Sequence, residues 1–306
     1  ALPLLAGTAA RIFTGAAIPV GADTVVMQEE CDTLPEQNGM AQIRVNALPK
    51  AGQWIRRAGE DVALGAVVLQ KGERLTPASI GLAASIGLAT LTVVRRPKVA
   101  LFSTGDELVM PGDIAPENMP AGSIYNSNRF FLRAMLQRLG CEVTDFGIVP
   151  DNLDATKTAL SNAAQAHDLI LTSGGVSVGE EDHIKPAVQA LGELNLWQIA
   201  IKPGKPFAYG KINCPVHPEP IEGLKKASTS SARTDSCHFI GLPGNPVSSF
   251  VTFMLLVRPF ILKLQGVQNV DAFTAKTIAM RADFTVAKAD KRREFLRVKR
   301  NANGGL

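Results

Sequence analysis

The chain has 306 residues, with 32 Lys and Arg against 28 Asp and Glu, a formal charge of +4, and 46% hydrophobic residues. A chain of this length buries roughly 75% of the surface that its unfolded form exposes, so a core needs neither disulfides nor a structural metal. Ordinary globular usage excludes global disorder, and a small charge spread along the chain excludes a dedicated nucleic-acid binder.

Four cysteines (Cys31, Cys141, Cys214, Cys237) make no disulfide framework and fit a reducing cytoplasm. The apolar opening has no basic flank and runs into Arg11-Ile-Phe-Thr-Gly, so it reads as folded sequence rather than a signal peptide. The longest apolar run, 247–264, is interrupted by Arg258-Pro259 and Lys263, which argues against a membrane span and for a soluble protein.

Residues 1–57 carry short β-type runs, Thr24-Val-Val-Met-Gln and Ala41-Gln-Ile-Arg-Val, between frequent turn residues, which predicts a small β-rich domain. Residues 58–96 read as a helix-containing linker module. There Thr76 as N-cap and Pro77 at the first helical position predict a helix that stops at Gly87, followed by a strand over 89–94. Arg95-Arg-Pro97 marks the next boundary.

Over 97–268 the predicted strands 98–103, 141–149, 168–173 and 239–242 alternate with helices 126–139, 151–167, 182–191 and one from Pro246. Repeated β-loop-α units with apolar strands predict an α/β domain, a doubly wound, mostly parallel sheet covered on both faces. Residues 213–237 lose all apolar periodicity and read as an exposed insertion without chemistry. β-type text returns after Gly266, so 269–306 reads as the start of a truncated C-terminal β domain, and the chain as a piece of a longer one.

Ligands of open α/β sheets bind at the carboxyl ends of the strands. Strand 98–103 exits into Thr104-Gly105-Asp106-Glu107, and strand 168–173 into Ser173-Gly-Gly-Val-Ser177-Val-Gly179, followed by Glu180, Glu181 and Asp182. The small residues of the second loop, Ser173, Gly174, Gly175 and Ser177, let backbone N–H groups approach an anion, or simply satisfy a tight βα turn. Asp106, Glu107 and Asp182 offer the oxygen ligands that Mg²⁺ prefers, or alternatively helix caps. Lys202 and Lys205 frame Pro203-Gly204 as a fixed cationic site for an oxyanion. Asn245-Pro246 opens a helix whose N-terminus is either a second anion site or an ordinary Asn cap. Cys214, His217, Cys237 and His238 are zinc-type residues at poor ligand spacing, and a zinc site is not favoured. No Gly-x-Gly-x-x-Gly fingerprint supports dinucleotide binding.

Taken in series, Ser103-Thr-Gly-Asp-Glu-Leu, Thr172-Ser-Gly-Gly-Val-Ser-Val-Gly-Glu-Glu-Asp182, Ile201-Lys-Pro-Gly-Lys-Pro and Gly241-Leu-Pro-Gly-Asn-Pro-Val-Ser resemble the molybdopterin molybdenumtransferase family, similar to the gephyrin E domain. Arg11-Ile-Phe-Thr-Gly-Ala, Val25-Val-Met-Gln-Glu and Arg56-Arg-Ala-Gly-Glu-Asp61 extend the resemblance over nearly the whole chain. The resemblance implies a molybdopterin-binding α/β domain and Mg²⁺-dependent insertion of molybdate into adenylated molybdopterin, with release of AMP. It also implies a homodimer, with 58–96 contributing to dimerisation, and neither nucleic acid nor membrane as partner. By motif, Asp106, Glu107 and Asp182 would serve Mg²⁺ and phosphoanhydride cleavage. Ser173, Gly174, Gly175 and Ser177 would hold the pterin or adenylate phosphates. Lys202, Lys205 and Ser248 fall to molybdate or a terminal phosphate, Asn245 is a further substrate-binding residue, and Thr14, Asp61 and Arg297 match other substrate-binding positions. The chain lacks the family's Asp-Asn-Ser-Ala-Met-Asp-Gly-Tyr stretch and most of its C-terminal β module. The alternatives are the related molybdopterin adenylyltransferase, against which the 1–96 modules argue, and a non-catalytic gephyrin-like scaffold.

Overall fold

A computed structural model describes residues 3–176, 182–214, 236–269, 273–286 and 290–306. The chain divides into two compact units, Ala1–Leu69 and Gln70–Leu306. In the first unit, β1 (Cys31–Gln37) and β2 (Met40–Val45) form an antiparallel hairpin. Asn38 and Gly39 turn it with φ of 54° and 76°, the left-handed pair that an Asn-Gly hairpin turn requires. The ladder shifts register between Leu34 and Gln37, around Pro35, which has no N–H to give a partner.

The expected run at 24–28 is not a strand. Val25 N donates to Gln53 O at 3.1 Å, a single tie to a neighbouring turn instead of a ladder. β-branched composition favours an extended backbone, but only a pairing edge makes it a strand.

The second unit begins with α1 (Pro77–Ser85). Thr76 Oγ1 accepts from Ser79 N at 3.1 Å, and Ser79 Oγ accepts from Thr76 N at 3.0 Å, a capping box with Ser in the usual Glu position. The helix ends at Gly87 (φ 85°), where Leu88 N reaches back to Ala83 O. The strand expected over 89–94 does not form, and Val93 and Val94 are exposed.

The sheet domain follows, with β3 (Lys98–Thr104), β4 (Leu108–Val109), β5 (Ile124–Tyr125), α2 (Ser127–Arg138), β6 (Glu142–Val149), α3 (Leu153–Ala164), β7 (Leu169–Ser173) and α4 (Ile184–Leu191). The chain continues through β8 (Gly192–Trp197), β9 (Ile201–Lys202), β10 (Ala208–Asn213), β11 (Ser236–Leu242), α5 (Pro246–Thr252), α6 (Arg258–Leu264) and β12 (Arg293–Glu294). A six-stranded sheet has the order β6-β3-β7-β11-β10-β8. Its first four strands are parallel, as the βα alternation predicts. β10 pairs antiparallel with β11 and β8 antiparallel with β10, so β10 runs against the other five strands, a feature the sequence reading lacks. The reason is connective: no helix lies between β8 and β10, so the chain turns back beside β8 instead of crossing the sheet.

Alternation along each parallel strand divides the core. Ala100, Phe102, Ile170 and Phe239 face α3 and α4, through Leu160, Ala163, Ile184 and Val188. Val99, Leu101, Leu171 and Ile240 face α2 and the α5–α6 helix, through Leu132, Leu136, Phe253 and Ile261. Both faces are therefore covered, which is why these strands read as unbroken apolar runs.

The long helix is interrupted by a π turn over Phe253–Val257, just before Pro259. Proline cannot donate to the ladder and crowds the carbonyl four residues back, and the wider turn relieves both. By length and mean hydropathy (1.7) the stretch Pro246–Leu264 would suffice for a membrane span, yet Phe253, Val257, Ile261 and Leu262 are buried in the core of this domain. Of the expected 213–237 insertion, residues 215–235 lie outside the described residues.

Asp168 sets the entry register of the sheet. Its carboxylate accepts from Arg95 Nη1 and Nη2 at 2.7 and 2.6 Å and from Lys98 N at 2.8 Å. Its backbone N–H donates to Lys98 O, and its carbonyl accepts from His238 N. Asp168→Ala should cost about 1–2 kcal/mol in denaturant unfolding, modest because Arg95 is half exposed. Nearby, burial first and the Asp168 charge second push the Cys141 thiol up to about 12. The unfolded thiol ionises near its ordinary 9.0, so the unfolded state loses its proton first and stability falls as pH rises from about 9 towards 12. Cys141→Ala should flatten that alkaline decline in thermal melts between pH 8 and 10.5.

Candidate active site

The carboxyl ends of the adjacent strands β3, β7 and β11 open onto one cavity of about 290 Å³. β3 contributes Thr104 and, beyond it, Glu107. β7 contributes Ser173 and Gly174, and the loop after β11 contributes Gly244 and Asn245. The fourth side is the start of α2, with Asn126 and Asn128.

Local rules place each piece. Gly105 takes φ 136°, and a Cβ there would lie 2.5 Å from Glu107 Oε2, so the missing side chain lets Glu107 fold back over the turn. Gly174 and Gly175 take φ 93° and 63°. A Cβ on Gly175 would lie 2.5 Å from Thr104 Oγ1 and 2.7 Å from Ile184 Cγ1, and one on Gly174 would strike the Thr104 carbonyl. Close packing of the βα turn on Thr104 therefore accounts for both glycines without an anion.

Asn126 caps α2 through Arg129 N at 3.3 Å, and Asn245 caps α5 through Val247 N and Ser248 N at 3.0 and 3.1 Å. Asn128 Nδ2 donates to Ser173 Oγ at 2.8 Å and to Gly244 O at 2.7 Å, tying the exits of β7 and β11 to α2.

The structure thus gathers Glu107, Ser173, Gly174 and Asn245 of the expected set around one cavity. The other expected residues lie as follows. Asp106 Oδ1 accepts from Asp151 N at 3.3 Å, and Asp182 Oδ1 accepts from Ile184 N at 3.3 Å at the start of α4. Ser248 is buried in the first turn of α5, its amide on Asn245. Lys202 Nζ pairs with Glu294 Oε1 at 2.8 Å and lies 3.9 Å from Asp290 Oδ2, where β12 runs parallel to β9. Lys205 and Arg297 are exposed, and Ser177 lies outside the described residues. In the first unit Thr14 is exposed and Asp61 forms an exposed ion pair with Arg56.

Among the described residues no group of three or more His, Cys, Asp and Glu is placed to hold a metal. Among the described residues no lysine or arginine lines the cavity, and Glu107 is the one carboxylate on its wall.

Residues 100–263 match the family described as "probable molybdopterin binding domain", and residues 1–87 match "MoeA N-terminal region (domain I and II)". The chain belongs to the molybdopterin molybdenumtransferase family. It is 46% identical over 259 residues to the molybdopterin molybdenumtransferase of Haemophilus influenzae, covering 85% of this chain and 57% of that protein. It is 37% identical over 265 residues to gephyrin of Dictyostelium discoideum, covering 84% of this chain and 35% of that one. Two solved structures of a molybdopterin biosynthesis MoeA protein from Pyrococcus horikoshii superpose with TM-scores of 0.60 and 0.61 at 31% and 27% identity. They cover 83% and 87% of this chain and 56% and 60% of theirs. The chain spans a little over half the length of its bacterial relatives.

In this molybdenumtransferase-family chain, motif reading missed Thr104, Asn126 and Asn128. The signal was slight, since Asn126 opens the predicted helix 126–139 and Asn128 follows two residues on, and nothing local marks either as part of a site. Gly175→Ala combines left-handed strain with two contacts too close for a Cβ. It should cost about 2–3 kcal/mol and raise the ligand dissociation constant of the cleft, as read by thermal unfolding and by titration with molybdopterin.

Proposed function

We propose that this chain carries out the molybdate-insertion step of molybdenum cofactor biosynthesis. Adenylated molybdopterin and molybdate are its substrates, and AMP is released. The observation that carries the reading is the convergence of three adjacent strand ends of a molybdopterin-binding-type domain on one polar cavity. Asn128 and the two glycines supply the chemistry of orientation, because they fix the walls before the substrate arrives and so avoid ordering them during reaction.

Mg²⁺ suits this site as a cation carried in by substrate phosphates, not as one held in a protein cage. Mg²⁺ commonly takes one or two carboxylates and completes its shell with phosphate and water. Asp106 and Glu107 are adjacent acids of that kind, with Asp182 as a further candidate. The bound cation would neutralise charge on the phosphoanhydride as its bond to the adenylate breaks.

Lys205 is an exposed cation available to molybdate, whereas Lys202 must exchange Glu294 for the oxyanion. The protein is read as a cytoplasmic homodimer. Leu48, Leu64 and Val67, all exposed on the first unit, give that reading an apolar surface to bury. The functional modules are proposed to run 1–57, 58–96, 97–268 and 269–306.

The test is AMP release from adenylated molybdopterin, with and without Mg²⁺ and molybdate. Release should require both ions, and Glu107→Gln and Asp106→Asn should each slow it about ten-fold or more, with little change in melting temperature. A chain that neither binds the adenylate nor releases AMP would overturn the reading.

A further inference from the structure

The two lysines that frame Pro203-Gly204 differ in their surroundings. Lys205 is exposed, whereas Lys202 Nζ lies 2.8 Å from Glu294 Oε1 and 3.9 Å from Asp290 Oδ2. The two carboxylates are held in different ways. Asp290 Oδ1 accepts from the Arg292 amide at 3.0 Å and from Arg292 Nε at 3.1 Å, and Oδ2 accepts from Arg292 Nη2 at 2.8 Å. Arg292 therefore fixes Asp290 without help from Lys202. Among the described residues Glu294 has Lys202 as its one ion-pair partner.

β12 does not need this ion pair to stay on β9. Arg293 N donates to Ala200 O at 2.8 Å and Phe295 N to Lys202 O at 2.7 Å, so backbone closes the parallel ladder on either side of Glu294. The Glu294 side chain can leave Lys202 while its own backbone stays in register. The two side chains are 46% (Lys202) and 26% (Glu294) exposed, so water and small ions reach the pair from outside.

An ammonium has three donors but a single charge, and a carboxylate resting on it competes with any second anion for that charge. We propose that Glu294 is an exchangeable internal anion, which occupies Lys202 in the empty site, is displaced by the arriving oxyanion, and so sets the affinity threshold for that oxyanion. Glu294 is thus a positioning residue, acting through Lys202 and not on the substrate. This rests on the reading of Lys202 as an oxyanion-binding residue. Exchange has a signature of its own. Opening the Lys202–Glu294 pair costs the same whichever anion replaces the carboxylate, so the penalty is equal for a singly and a doubly charged anion. A carboxylate that stayed in place and repelled would penalise the doubly charged anion more. One that merely buttressed Lys202 would favour both.

The probes are molybdate, a tetrahedral dianion, and perrhenate, a tetrahedral monoanion of similar size, each titrated into the chain at neutral pH and one fixed ionic strength. Glu294→Gln keeps the length of the side chain and removes its charge. It should tighten both anions by the same factor, about two- to five-fold, the worth of an exposed ion pair, with a melting temperature within about 3 °C of the parent. Lys202→Met should weaken molybdate, and adding Glu294→Gln to it should bring no gain, because the exchange runs through Lys202. Weaker or unchanged binding by Glu294→Gln overturns the proposal. A gain larger for molybdate than for perrhenate, or one that persists beside Lys202→Met, overturns it too. In these cases the reading of Lys202 stands, provided that Lys202→Met weakens molybdate. Molybdate binding equal in parent and Lys202→Met, or absent from both parent and Glu294→Gln, overturns that reading and the proposal together.

Discussion

Three central strands of the sheet begin on one residue. Asp168 gives its amide to Lys98, takes the Lys98 amide and the Arg95 guanidinium on its carboxylate, and takes the His238 amide on its carbonyl. Once β3, β7 and β11 are aligned there, the rigid spacing of a β-ladder carries the alignment to their far ends. Thr104, Ser173 and the Pro243–Asn245 turn then arrive side by side. What remains is local trimming, by glycines where the backbone must lie against Thr104 and by Asn128 where two loops must be held to a helix. A site of this kind draws its precision from the far edge of the domain, which is why a charged cluster remote from the cavity belongs to the account of it.

How much was legible follows from which interactions are local. The helix starting at Pro77, the Asn245 cap and the apolar parallel strands were all visible, because capping and two-sided burial leave their marks on neighbouring residues. The runs at 24–28 and 89–94 carry the same β-type composition as true strands. They fail for want of an edge to pair with, which no window of sequence contains. The antiparallel extension through β10 and β8 was hidden for a related reason, since direction in a sheet depends on how the chain returns.

The site was half legible. Its strand-end loops stood out as glycine-rich or acidic text, and four of the residues chosen from them line one cavity. The lysines show the limit of that method. Lys202 reads as a fixed cation on a rigid frame, but its partner Glu294 lies 92 positions further on and pairs through a two-residue parallel ladder. Asn128 was overlooked for the converse reason. Its sequence neighbourhood is an ordinary helix start, and its two partners lie 45 and 116 positions away.

The hairpin between β10 and β11 has a separate consequence. Asn213 and Ser236 are paired across it, so the chain leaves the sheet and re-enters it at neighbouring points. Ser236 begins β11 whereas the cavity lies past its other end, so departure and return are at the opposite rim of the sheet from the cleft. The join between β10 and β11 is therefore anchored at the rim of the sheet away from the cavity, apart from the strand ends whose alignment the cavity depends on.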